Sequence, residues 1–546
     1  MKIQVRINEE GTLRNQRYAF TDRFTLVSEL LQNARRAGAL HITVDYDAQS
    51  KTLTVRDDGR GIDDFQKLLS FNESGWDDVI AERERPFGAG FTKCLYAAAR
   101  VLVASGRQRV VIETAAALRR ERFDVETTDE AVDGTCIELH DVDLAGLDTK
   151  IETLCLGFPV DVVFNGQPLE RRYAGDRIAM VQTPIGSVHI AGNRDGRETQ
   201  DTLVFLQGFC VKNPVYFDQS RVNVVHLDAR EFTARLPDRD VLIDSDQQLQ
   251  RIQRQLKQCW REILEVAKTQ LPPQQFVDTY YRAMRSWGHI DLLNAMDELP
   301  AKLFKRIVDY PIQAEQDDRR YLEKPDAAPS RADIEQGRAT LVAIDSINED
   351  NAAQWMLARE RGWLVFRDYV LDEGHWIHPF VRRIEVEEAE VEALDVLDST
   401  SFDGRWVWAQ VILCRAVRIR LGDDEAEITD AGVCHGGNIL VPAGETSGEP
   451  VRQLSSYIDD SERFREDDME ADCDALADLI RRLSSTDPVS TLDSLLGELE
   501  LGRYPLLRGR RFEIMVGGDG TQRNRHTVTL LESQPVLPPP DGGHHA

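Results

Sequence analysis

No stretch of this 546-residue chain approaches the roughly 18 consecutive apolar residues that a membrane-spanning helix needs. Its start, Met1-Lys2-Ile3-Gln4-Val5-Arg6, is charged and lacks an apolar signal core, so the expected location is cytoplasmic, with no membrane partner. No two of the eight cysteines (Cys94, Cys136, Cys155, Cys210, Cys259, Cys414, Cys434 and Cys473) form a Cys-x-x-Cys pair. That spacing fits neither a zinc ribbon nor a disulfide framework and predicts reduced, mostly buried thiols. A cationic surplus is missing too: the net charge is −28. Residues 1–172 carry 23 cationic and 29 anionic side chains, a net −6; residues 173–290 carry 15 and 14, a net +1. Residues 291–546 carry 28 and 51, a net −23. Binding to duplex nucleic acid rests on cationic contacts to phosphate, so direct nucleic-acid binding by the acidic C-terminal region is disfavoured. No internal repeat is present.

What is present is enough for several cores. The hydrophobic share of 42% suits globular domains, and at roughly 100–200 residues per domain the length suggests three or four. Residues 1–20, with Ile3, Val5 and Ile7 alternating, read as an N-terminal strand or arm. Apolar residues from Phe24 to Ala37 recur with helical period, Asp22 can cap that helix, and Gly38 ends it. Residues 41–46 and 51–56 alternate with period two around a turn at 47–50, a β-hairpin. Asp64 to Leu69 reads as a short helix, and Thr92 to Arg100 as another. Residues 100–105 and 109–114 read as two strands around a turn at Gly106, with further strands at 122–126 and 134–139. Asn165-Gly166 marks a tight turn near the end of this first α+β domain, placed at 1–172.

A second α+β domain is placed at 173–290. It has strands at 178–183, 186–190, 202–205, 208–211 and 222–227, then a helix from 247 to 269 broken by Pro272-Pro273 and a helical stretch to Trp287. An acidic region of one or two α+β domains follows at 291–532. It contains a linker-like run at 323–329 and a helical stretch at 455–483 with Leu476, Leu479, Ile480 and Leu483 at i, i+3, i+4 and i+7. A strand pair at 511–516 and 527–531 closes it, and the Pro/Gly-rich residues 533–546 read as a disordered tail.

Three pieces in the first domain carry chemistry. Glu29 and Asn33, four apart, share one helix face. An amide oxygen can ligate Mg²⁺ and a carboxylate can activate water, although a solvated polar face accounts for the pair taken alone. Asp57-Asp58-Gly59-Arg60-Gly61 follows a strand; its glycines let the backbone approach a flat ligand, and Asp57 can accept from an exocyclic amino group such as that of adenine. An ordinary turn accounts for the same residues alone. Phe87-Gly88-Ala89-Gly90-Phe91 runs into a helix, offering backbone N–H groups to phosphates. It is not a Walker A loop, for Gly-Lys-Ser/Thr is absent, nor a Rossmann fingerprint. Gly134-Thr135 lies on a strand from which Thr135 can reach Asp57.

Glu29-x-x-x-Asn33, Asp57-x-Gly59-x-Gly61, Gly88-x-Gly90 and Gly134-Thr135 together resemble the four motifs of the Bergerat-fold ATPases, which include DNA gyrase, heat shock protein 90, sensor histidine kinases and MutL. The resemblance covers about a third of the chain. It implies an α/β sandwich, a mixed sheet with helices on one face, followed by a transducer-like domain. It implies ATP and Mg²⁺ as cofactors, Glu29 as the water-activating base, Asn33 as Mg²⁺ ligand and Asp57 as adenine partner. Gly59 and Gly61 fall beside the base, Gly88 and Gly90 in the phosphate loop, Thr135 near the base, and residues 72–85 in an ATP lid. The Phe-Gly-x-Gly-Phe loop and residues 94–105 look most like heat shock protein 90; Ala37-Gly38-Ala39 looks more like MutL, with Arg36 where an Asp is usual. In such relatives a second domain sends a basic side chain to the γ-phosphate; Lys212, Arg235 and Arg239 are the candidates, though a salt-bridged loop also accounts for the arginines.

The leading expectation is therefore a slow ATPase switch that closes its lid, pairs as a homodimer through its N-terminal domain and acts on protein clients. The alternatives are a MutL- or topoisomerase-like ATPase working with a DNA-bound partner, and an ATP-binding sensor or defence module with negligible turnover. His375-x-x-His378 has no third ligand in view and reads as packing or a surface loop, and the acidic residues from Asp459 to Asp468 read as a solvated face.

Overall fold

The computed structural model describes residues 3–4, 8–16, 22–70, 76, 90–235, 240–309, 321–344, 352–367, 370–385, 389–443, 465–485, 487–497, 499, 501–517 and 526–532. The expected lid (apart from Trp76), Gly88, Arg239, residues 455–464 and the tail lie outside these residues. The chain is α+β and divides into two compact units, Met1–Leu292 and Leu293–Ala546. Among the described residues no helix is long and apolar enough to cross a membrane.

The first unit opens with α1 (Glu9–Gln16) and α2 (Thr25–Arg36). Within the stretch read as an N-terminal strand or arm, residues 9–16 form α1; Val5 and Ile7, whose alternation carried that reading, lie outside the described residues. Asn8 accounts for the difference, its Oδ1 accepting from the Gly11 backbone N–H at 3.0 Å as a helix cap does. Helix α2 forms as the periodicity predicts and buries Leu26, Val27, Leu30, Leu31 and Ala34. Asp22 braces its entry by accepting from the Phe24 N–H at 2.8 Å. At its end Gly38 sits at φ +80°, its N–H reaching Arg35 O while that of Ala39 reaches Ala34 O, a Schellman closure.

A six-stranded sheet follows, in the order β3-β4-β2-β1-β5-β6. Its strands are β1 (His41–Asp47), β2 (Thr52–Asp57), β3 (Arg100–Glu113), β4 (Val125–His140), β5 (Asp161–Phe164) and β6 (Gln167–Pro168). Neighbours are antiparallel except β1 and β5. Between β2 and β3 lie the 3₁₀ turns Phe65–Leu69 and Phe91–Lys93 and the short α3 (Cys94–Ala97); α4 (Thr114–Leu118) and α5 (Leu147–Cys155) follow β3 and β4.

Three expectations are corrected here. The helix after the glycine loop stops at Ala97, because Ala98 is extended and the Ala99 N–H already pairs with His140 O in the sheet. The two strands around Gly106 are one, and those near 122–126 and 134–139 are one; Thr114 leaves β3 to start α4. Gly106 (φ +56°) and Gly134 (φ +61°) make bulges rather than turns, and the β3–β4 register shifts around Gly106.

Register decides what the sheet presents. Val44, Val55, Ile137 and Val103 are cross-strand partners, all buried in one core with α2. Side chains alternate with period two, so the next rung on that same face is Ile42, Asp57, Thr135 and Ser105. The apolar face thus ends in a polar row.

A second sheet completes the unit, ordered β10-β9-β11-β8-β7, with strands β7 (Val181–Thr183), β8 (Gly186–His189), β9 (Thr202–Leu206), β10 (Phe209–Lys212) and β11 (Asn223–Leu227). Phe209 of β10 belongs to the core of the first sheet, its ring 5.2 Å from that of Phe158. Helices α6 (Ser245–Gln270) and α7 (Pro273–Trp287) follow, with Trp260 and Trp287 packed at 6.2 Å.

The second unit has a sheet ordered β13-β12-β15-β14-β16, from β12 (Phe304–Ile307), β13 (Leu322–Glu323), β14 (Leu341–Ile344), β15 (Leu364–Phe366) and β16 (Val381–Ile384). The linker-like run 323–329 is a connection inside this unit, from β13 to α8 (Arg331–Glu335), which Ser330 caps. Helix α9 (Ala352–Glu360) buries its residues from Ala352 to Ala358. Another sheet, ordered β17-β18-β21-β20 with β19 beside β18, comprises β17 (Glu390–Asp403), β18 (Trp408–Leu421), β19 (Asp424–Ile428), β20 (Val433–His435) and β21 (Asn438–Pro442). Helix α10 (Glu466–Ser484) packs Leu476 and Ile480 against Val411, Ile439 and Val441, as its periodicity predicts. Asp468, expected on a solvated face, pairs with Arg405 at 2.6 Å. After α11 (Pro488–Gly497), β22 (Arg511–Val516) and β23 (His526–Glu532) form a two-stranded sheet.

Candidate functional site

The polar rung is built around Asp57, the last residue of β2. Its Oδ1 accepts from the Gly59 N–H at 2.9 Å, folding the chain into a turn as it leaves the sheet. Burial pushes the Asp57 carboxyl up from its ordinary value; the Gly59 bond opposes this and the neighbouring Asp58 charge adds to it. A half-buried carboxylate whose pKa is raised by burial is a candidate for a ligand site.

Two further contacts dock that turn onto the end of α2. The Arg60 N–H reaches Ala37 O at 2.9 Å, and a Cβ on Gly59 would stand 2.7 Å from Ala37 Cβ. Asp58 Oδ1 accepts from the N–H groups of Leu40 and His41 at 2.7 and 2.9 Å, and these backbone bonds hold its carboxyl below the usual range. The Arg60 guanidinium lies over the Trp76 ring, 5.3 Å from its centre.

Thr135, 6% exposed, is the cross-strand partner of Asp57 and of Ser105. Ser105, 4% exposed, ties three strands of chain together. Its Oγ accepts from the Ile62 N–H at 2.9 Å and donates to Gly134 O at 2.7 Å, and a Cβ on Gly61 (φ +77°) would stand 2.6 Å from it. A Cβ on Gly134 would collide with the Asp57 carbonyl oxygen. Asp57, Gly59, Gly61, Gly134 and Thr135 therefore meet at one place. Sequence reasoning missed Ser105; its signal is the alternation Val101-x-Val103-x-Ser105, which puts a polar residue at an inward position.

Helix α2 supplies the other group. Glu29 is 6% exposed and Asn33 half-buried, one turn apart. Gly90 is seated on Glu29, since any Cβ there would collide with Glu29 Oε2. Lys93, also missed, is buried three residues later and donates from Nζ to Asp22 O at 2.5 Å, fastening the segment after the glycine loop to the entry of α2. Tyr96 ties the same segment to α1, its hydroxyl donating to Leu13 O at 2.8 Å.

The structure thus groups Glu29 with Gly90 and Asn33, and Asp57 with Gly59, Gly61 and Thr135. Gly88 and Arg239 lie outside the described residues. Lys212 ends β10 exposed, and Arg235 forms a two-pronged pair with Asp240 at 3.0 and 2.9 Å, as a salt-bridged loop would. Among the described residues no three His, Cys, Asp or Glu side chains converge as a metal cage. Asn33 beside Glu29 is a sparse, hard-oxygen donor set; it fits Mg²⁺, which keeps several waters and takes few protein ligands.

His375 is buried, its ring 5.3 Å from Trp376, and its pKa falls to about 4, chiefly through burial. His378 Nε2 meets Asp372 O at 2.7 Å, so this pair is packing, as expected. All eight cysteines are free thiols, five of them buried; burial pushes Cys94 and Cys155 up to about 12, far from nucleophilic use.

No protein-family model matches the chain, and no curated protein matches it.

Proposed function

We propose that the first unit binds ATP with Mg²⁺ and hydrolyses it slowly, as a Bergerat-fold switch resembling heat shock protein 90. The observation that carries this reading is the polar rung Asp57–Thr135–Ser105 closing the core face, together with Gly90 seated on Glu29 of α2. Asp57 accepts from the adenine amino group, and its raised pKa is the cost of holding an acceptor where water is scarce. Thr135 and Ser105 set its surroundings and brace the glycine turn.

Glu29 takes a proton from the water that attacks the γ-phosphorus. The bond to the β–γ bridging oxygen breaks, ADP leaves, and the proton passes to the phosphate product. A base so placed contributes roughly 10²–10⁴ in rate. Asn33 would hold Mg²⁺, which neutralises phosphate charge when bound. Backbone N–H groups of the loop ending at Gly90 receive the phosphates. Lid closure, homodimerisation through the N-terminal domain and action on protein clients complete the proposed cycle.

The test is Mg²⁺-dependent ATP turnover, with mass measured by light scattering with and without a non-hydrolysable analogue. Wild type should turn over and should dimerise with the analogue; Glu29→Ala should bind ATP and lose turnover by at least about 100-fold. Full turnover in Glu29→Ala would remove Glu29 from the chemistry.

A further inference from the structure

The helix that carries Glu29 and Asn33 is gripped by the second sheet. Residues 29, 32 and 33 fall within about 100° of arc at 3.6 residues per turn. Gln32 between them is 1% exposed, and its Nε2 donates to Gln207 Oε1 at 2.8 Å, across 175 residues of sequence. Gln32 Oε1 accepts in turn from Arg35 Nε at 3.3 Å.

Gln207 stands in the two-residue turn from β9 to β10 at φ +53°, a left-handed conformation that side chains other than Asn and Asp rarely adopt. The next residue, Gly208, is at φ +89°, and a Cβ there would stand 2.7 Å from Pro159 Cδ and 2.9 Å from Phe158 Cδ2. The turn is thus pressed against the first sheet's core. It is mounted on β9, whose five residues are all buried, so it is a rigid prop rather than a loose loop. Glycine or asparagine would fill position 207 without backbone strain, but neither is long enough to keep the contact with Gln32. A strained residue whose reach is used is a pointer to function.

We propose that Gln207 is a positioning residue: its bond to Gln32 holds α2 at the setting in which Glu29 and Asn33 serve the pocket, and carries movements of α2 into the second sheet. This rests on the ATPase reading above. The contact links second sheet to catalytic helix through two neutral amides.

Gln207→Gly and Gln207→Asn separate the bond from the turn, because both residues accept φ +53°. Relief of the strain at φ +53° offsets the cost of leaving Gln32 Nε2 without its acceptor, so both variants of the full chain should melt within a few degrees of wild type and bind ATP within about twofold of its affinity. Their kcat should fall about tenfold. Gln32→Ala should show the same loss, and the double variant no more than either single one. Gln207→Glu, which keeps an acceptor of the right length, should recover most of the turnover. Unchanged kcat in Gln207→Gly, losses that multiply in the double variant, or a loss seen only as weaker ATP binding would each overturn the proposal. Wild type that binds no ATP would sink the pocket reading and this relay together; wild type that turns over beside an unaltered Gln207→Gly would sink the relay alone.

Discussion

Replacing Ser105 by alanine tests whether the polar rung is an assembled site or a chance row of small residues. The hydroxyl serves two backbone groups, accepting from Ile62 N–H at 2.9 Å and donating to Gly134 O at 2.7 Å. Alanine fits the space but abandons both. A buried polar group left without a partner costs about 1–3 kcal/mol. Ile62 and Gly134 are only half-buried, so water can take over part of each bond, which places the loss for Ser105→Ala at the low end, about 1–2 kcal/mol in all. For a unit of this size, Met1–Leu292, that lowers the melting temperature by roughly 2–3 °C. ATP affinity, read by calorimetry, should fall several-fold, because the turn from Gly59 to Ile62 loses its strut. A second variant sharpens the test. In wild type a Cβ at position 61 would crowd Ser105 Oγ at 2.6 Å, so Gly61→Ala carries a steric cost on top of the strain of φ +77°. In the Ser105→Ala background the clash with Oγ is gone and only the strain and a 3.2 Å approach to Gly134 O remain, so the two changes should be less than additive. A Ser105→Ala melting curve and ATP affinity equal to wild type, or strict additivity with Gly61→Ala, would refute the strut.

Two other outcomes follow from the same geometry. Burial raises the Asp57 pKa above its ordinary 3.8, so the folded protein holds that proton more tightly than the unfolded chain does. Its contribution to stability is most favourable below the ordinary value and is lost as pH rises through the raised one. Asp57→Asn should therefore raise the melting temperature of the ligand-free protein at neutral pH, with a gain that shrinks toward pH 4, while weakening ATP binding about tenfold or more; a pH-independent gain would remove the burial argument. Gly134→Ala meets both φ +61° and the Asp57 carbonyl oxygen, and denaturant unfolding should show a loss of at least about 1–3 kcal/mol. A tolerated alanine would mean that the bulge is not needed.

Much of the first unit was legible because its signals are local. The period of α2, the Gly38 stop and the hairpin at 41–57 each depend on neighbours within a few residues. Gly106 and Gly134 were harder, because positive φ is shared by turns and bulges and only the partner strand distinguishes them. Asp57 and Thr135 could be named as a pair of types, but that they share a rung with Ser105 is a matter of register, which β3 and β4 settle jointly. The Gln32–Gln207 bond had no local signature at all, since glutamines on a helix face and in a turn are ordinary until the two sheets are packed. The cap at Asn8 was visible in principle, but the apolar alternation before it carried the opposite sign.

The parallel pairing of β1 with β5 bears on how the molecule comes to exist. β1 meets β2 almost as soon as it is made, whereas His41 finds Asp161 only after about 120 more residues. Until then the β1 edge that carries Ile42 and Val44 is open, and closing it late is slow compared with making a hairpin. Completion waits longer still, because Phe158 is covered by Phe209, on the second sheet. A fragment cut at residue 172 to isolate the polar rung would take Phe209 out of the core it shares with Phe158, so the core of the first sheet is complete only in a piece that runs through both sheets.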